Sequence, residues 1–234
     1  EVAKKFQEQR AKALARIASP EGIDVQISKD SERKLFCRSV VNNAAYDYFS
    51  KCVAEEGSIS TPPTGTRFWI FQEMSSSSAP MLQHGSIVEG TAIETYLGSY
   101  KNIVKTFLPD ITLGLANAHS SYASIYALTC HELAHASHFS QVGVDWWNRF
   151  IAFILQSYAG SLITYGLGTE TDSGYCEVGE MWAYFVENSM YRERYGDDSR
   201  VRGTSFWFSQ QILLNLEERG LDRYSIFKAL RSDV

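Results

Sequence analysis

The amino-acid sequence predicts an α+β domain, predominantly helical, in which a small sheet packs beside a buried motif helix. Apolar residues recur at helical spacing over long segments, chiefly 31–56, 121–140, 146–162 and 177–191. Only two short runs, 67–72 and 111–115, carry the β-branched and aromatic character of strands bounded by turn residues. Within the segment 121–140 lies Thr129-Cys130-His131-Glu132-Leu133-Ala134-His135-Ala136-Ser137-His138-Phe139, whose polar residues are more than packing requires.

A chain of 234 residues is long enough to bury a sizeable core. With 44% hydrophobic and 21% charged residues it has a globular rather than a disordered composition. We expect a single domain over 1–234, with an N-terminal helical part at 1–57 and a core at 58–234 around a motif helix at about 121–140. The net charge of −5 offers no basic surface for nucleic acid or an anionic membrane. The longest apolar run, 150–155, stops at Gln156, well short of the roughly 20 residues of a transmembrane helix. The chain opens at Glu1 rather than Met, which suggests that something upstream was removed. A secreted or cell-surface location is favoured, with the compartment left open.

In chain order, residues 1–19 read as an amphipathic helix stopped before Pro20. Residues 31–56 form a second helix, with Leu35, Val40, Ala44, Tyr48, Phe49 and Val53 as its apolar stripe and Gly57 as its stop. Pro62-Pro63 marks a loop before the first strand, and Ser75 to Ser78 reads as a mobile polar loop. Between 86 and 100 the pattern does not separate strand from helix. The second strand, 111–115, stands where an edge strand would pair with an extended peptide backbone, although an ordinary internal strand fits as well. Asn117, Ser120 and Ser121 are N-cap candidates for the motif helix, and Gly143 lies beyond its end. Residues 146–162 are apolar nearly all round and are expected to run through the core. On the next helix Glu177, Glu180, Tyr184 and Glu187 align along one face. Two short helices, about 206–219 and 222–230, close the chain.

On a helix His131 and His135 lie one above the other, about 6 Å apart, so both imidazoles can reach one ion. Zinc accepts two such nitrogens, a third protein ligand and an open position for water. Glu132, one residue round, can flank the ion and take a proton from that water. His138 shares the face but stands about 10.5 Å along the axis from His131, too far to complete the set. It is expected to face a substrate, support a ligand or be exposed. Cys130 and Cys176 read either as a disulfide clamping the site or as two buried thiols.

The stretch His131-Glu132-Leu133-Ala134-His135 resembles the active-site helix of the zincin superfamily of metallopeptidases. His138 and Gln141 do not match the metzincin extension. Glu180-Met181-Trp182-Ala183 is similar to the Glu-x-x-Ala setting of the gluzincin branch, and the resemblance implies Glu180 as third ligand. Glu177 stays open as a ligand or as a carboxylate holding a histidine. Asp172, within a stretch similar to the aspzincin signature, stays open as well. What the resemblance implies is a zincin-like fold and a zinc-dependent peptidase acting on peptide or protein substrates, with His131, His135 and Glu180 on the metal and Glu132 as general base. Tyr184, Tyr175 and His138 are oxyanion-donor candidates by position. The Gly-x-Met-Glu-Asn stretch of zincin aminopeptidases is absent, which favours cleavage within chains. The alternatives are a non-catalytic glycan- or peptide-binding module on the same scaffold and a structural zinc site with a fourth protein ligand, His138 or Glu177.

Overall fold

A computed structural model describes residues 26–55, 57–88, 92–117, 121–196 and 206–230. The helix expected at 1–19 lies outside them. The chain divides into two units, Glu1–Phe36 and Cys37–Val234. In the first, Ser31 N donates to Ser28 Oγ and Glu32 reaches back to accept from Ser28 N, which closes the turn that leads into a helix.

That helix, α1 (Arg33–Ala54), turns Val40, Val41, Ala44, Tyr48 and Cys52 inward. Strand β1 (Phe68–Phe71) pairs in parallel with β2 (Ile111–Gly114), Phe68 opposite Ile111. Parallel strands need a long crossover. The region 86–100 that the sequence left open supplies part of it. Turns over 82–88 are followed by α2 (Ala92–Leu97), a 3-10 turn at Gly98–Tyr100 and α3 (Lys101–Phe107). The fully buried Asp110 accepts from the backbone N–H groups of Arg67 and His84 and so pins the start of β2.

The segment expected to be a mobile loop is instead seated on β2. Ser78 exchanges both backbone hydrogen bonds with Thr112, at 2.8 and 2.9 Å, and Ala116 N donates to Met74 O. Of the two readings of 111–115 this favours the internal strand: β2 has β1 on one side and the Ser78 bridge on the other. A lone serine run carries no periodic signal that would have shown the pairing.

Helix α4 (Tyr122–Ser161) begins at Ser121, whose side chain accepts from Ser124 N, and breaks at Gly143, with φ +80° and ψ −178°. The break gives two arms, as the glycine position implied. The first arm is buried almost throughout from Ile125 to Phe139. The second departs from expectation. Trp146, Trp147, Phe150 and Phe153 are buried, but Leu155, Tyr158 and Leu162 are more than half exposed. An all-round apolar composition does not say how many neighbours the fold supplies, and among the described residues nothing covers the far end.

Helix α5 (Ser173–Tyr195) lies against α4 and buries most of its length, from Tyr175 to Met190. Tyr48 of α1 joins Ser137 of α4 through a buried hydroxyl pair at 2.8 Å. Helices α6 (Gln211–Glu218) and α7 (Arg223–Ala229) close the fold, and Arg223 bridges Glu55 and Glu217 at 2.7 Å each. All four cysteines are buried free thiols, so the paired reading of Cys130 and Cys176 gives way to the unpaired one. No helix among the described residues is long and apolar enough to cross a membrane.

Candidate metal centre

The first arm of α4 and the middle of α5 face each other across the site. His131, Glu132 and His135 are each at most 6% exposed, and Glu180 from α5 is 4% exposed. One turn of helix brings the two imidazole rings to a centroid distance of 4.9 Å, edge to face. Nε2 of His131 lies 3.5 Å from Glu180 Oε2 and Nε2 of His135 lies 3.5 Å from Glu180 Oε1. The three donor atoms fall within 4.8 Å of one another, a buried His-His-Glu group that could hold a metal ion.

Glu187, two turns beyond Glu180, places Oε2 3.1 Å from Nδ1 of His131 and accepts its proton. That bond assigns the tautomer and leaves Nε2 aimed at Glu180. Tyr184, between the two carboxylates, sets its ring 4.5 Å from that of His131. The polar stripe on α5 therefore has its reason, with one exchange of roles. The sequence offered Glu177 as the carboxylate steadying a histidine, and Glu187 does it. Glu177 and Asp172 lie outside the converging group, and Asp172 is exposed at the start of α5.

His138 is neither exposed nor in the group. It is fully buried, its ring 4.5 Å from Trp146, and Nε2 donates to Leu230 O at 3.3 Å. Its role is to tie α4 to the chain end after α7. Tyr175, also buried, accepts from Arg149 at 2.8 Å. A residue the sequence did not single out, Tyr165, comes from the connection after α4. The charge of the Glu180 carboxylate, then burial, pushes its phenol above the ordinary range. It has no spacing relation to the motif, so only the tertiary fold could find it.

Burial and mutual charge shift the titratable groups His131, Glu132 and His135 of the centre. Burial pushes the Glu132 carboxyl up to about 8, with Glu180 and Glu187 adding to it against His131. Burial opposes charge on His131, yet the hydrogen bonds to Glu180 and Glu187 outweigh it and raise its pKa well above the ordinary value. His135 is lowered by burial, and then by the charges of His131 and His138. Glu132 Oε2 and His135 Nδ1 are buried without a hydrogen-bond partner. Orphaned polar atoms in a buried site are costly. Two nitrogens and a carboxylate converging among them fit a divalent cation that accepts nitrogen and oxygen ligands. Comparisons with protein-family models, curated proteins and solved structures gave no match.

Proposed function

We propose that this chain is a zinc-dependent metallopeptidase on a zincin-like, gluzincin-type scaffold, cutting within peptide chains. The observation that supports it above the others is the convergence of His131, His135 and Glu180 beside a buried carboxylate, Glu132, whose Oε2 has no hydrogen-bond partner. Zinc held there by those three residues would supply Lewis acidity, lowering the pKa of a water and polarising a carbonyl.

The chain's own groups do the rest. Glu132 takes a proton as water attacks the scissile carbonyl and returns it to the leaving amine as the C–N bond breaks. A cation nearby favours its carboxylate form, undoing the upward shift that burial imposes. Glu187 keeps His131 in the tautomer that points Nε2 inward. Tyr165 and Tyr184 bring two hydroxyls that stay protonated, suited to donate to a carbonyl oxygen as it gains charge.

The test is Glu132→Gln in zinc-loaded protein, with metal content and peptide hydrolysis measured together. We expect zinc at wild-type stoichiometry and at least about a hundredfold loss of turnover, the scale of general-base catalysis. Equal hydrolysis by the variant would sink the proposal, and bound zinc with no hydrolysis by either protein would favour a binding module.

A further inference from the structure

The second arm of α4 carries two opposed apolar faces. Trp147, Phe150 and Phe153 are buried in the fold. At helical spacing on the other side, Leu155, Tyr158 and Leu162 are 57%, 55% and 77% exposed, and Ile163 and Leu167 in the turn that follows add 43% and 64%. Single exposed apolar residues are ordinary, but five gathered at the tip of one arm and its turn call for a partner.

Leu162 stands there at a cost to the fold. It caps the helix with left-handed backbone, φ 59° and ψ 17°, its N–H donating to Tyr158 O. Glycine adopts that conformation without strain, and a leucine pointing into water gains no packing in return. Strain kept at an exposed apolar residue is accounted for by something outside the chain that covers it.

Charge indicates what that is. From Phe150 to Thr169 the chain has no Lys, Arg, Asp or Glu, and the exposed neighbours of the patch are Gln156, Gly160 and Thr164. A protein partner is met through an apolar core ringed by a polar rim in which charges are common. A bilayer instead penalises each charge that enters it, admits aliphatic side chains, and holds tyrosine at the level of its headgroups. Size agrees, because five partly exposed side chains present roughly a few hundred Å², whereas each partner of a stable dimer covers about 800 Å². A net charge of −5 gives no general attraction to anionic headgroups, so neutral lipid must suffice.

We propose that the tip of α4 docks this protein on a lipid surface, its leucines and Ile163 entering the acyl boundary of a zwitterionic bilayer with Tyr158 among the headgroups. The docking is independent of the metal centre and of peptide hydrolysis.

The experiment floats the full chain through a density gradient with phosphatidylcholine vesicles, at low salt and at about 1 M salt, where charge attraction is screened within about 3 Å. We expect the protein to rise with the vesicles equally in both. Leu155→Glu and Leu162→Gly should each lower the partition coefficient about tenfold or more, the scale of withdrawing one leucine from an apolar phase. Leu162→Gly should melt no lower than wild type, because glycine relieves the cap, so its loss of binding is not a loss of fold. The four native cysteines are buried, so a nitrobenzoxadiazole label can be placed on Leu162→Cys alone. It should brighten on vesicles and be quenched by nitroxide-labelled lipid. Protein that never floats, that floats only with anionic lipid at low salt, or that floats as well with both substitutions would overturn the proposal. So would a dimer in sedimentation equilibrium that Leu155→Glu dissociates without any flotation, which would give the patch to a second copy.

Discussion

The Glu187 carboxylate lies 3.1 Å from Nδ1 of His131, on the side of the ring opposite Glu180. A histidine gripped at one nitrogen presents the other with its lone pair free, and the grip raises its basicity. Glu187→Gln keeps the shape and removes the charge. We expect metal affinity to fall about ten- to a hundredfold with the fold intact. Competition against a chromophoric chelator measures it, and unchanged affinity would reduce the pair to packing.

Metal should also stabilise the fold, since the converging groups exist only in the native chain. Zinc at a hundredfold excess over its Kd adds about 2.7 kcal/mol. Thermal melts with zinc and with chelator should separate, and Glu180→Ala should abolish the difference. Because the carboxylates favour protonated His131 in the metal-free site, binding must release that proton. Affinity should therefore rise with pH, and calorimetry in buffers of different ionisation enthalpy should count the proton.

Gly114 closes β2 against the backbone of 74–78. An added Cβ would run into Ser76 O and stand 2.7 Å from Met74 O, atoms that cannot swing aside. Gly114→Ala should cost about 1 to 3 kcal/mol, the usual penalty of overpacking. Urea unfolding reads it, and a neutral result would mean that 74–78 is not seated on the strand.

His138 supplies a pH dependence of stability. Burial pushes its pKa down to about 4, against about 6.5 when unfolded. The unfolded chain therefore binds more protons below pH 6.5. Its stabilising share is present above that pH and is lost progressively as pH falls toward 4. His138→Gln, whose amide can still donate to Leu230 O, should flatten the decline between pH 6.5 and 4 relative to wild type. Parallel slopes across that window would show that His138 takes up no proton on unfolding.

The helix spacing of His131 and His135, the neighbouring Glu132 and the position of Glu180 on a second helix were legible because each depends on local periodicity, which chain chemistry alone sets. The same holds for a cap among Asn117, Ser120 and Ser121, of which Ser121 serves, for the Gly143 break, and for the strands expected at 67–72 and 111–115, which form at 68–71 and 111–114. What joins across space was not. Nothing in the sequence placed 74–78 on β2, because a hydrogen-bonded ladder needs only backbone.

By itself, then, the sequence determined the long helices around the motif and which of their faces carry ligand-type side chains, since 3.6-residue periodicity and capping are short-range effects, while the short helices at 92–107 stayed open. The tertiary structure alone decided which carboxylate serves which nitrogen, Glu180 inward and Glu187 behind, and that His138 is a buried tie. It also decided that the second arm of α4 ends half in water and that Tyr165 comes to the centre. Those outcomes depend on the packing of α4 against α5 and on connections whose residues have no fixed spacing from the motif.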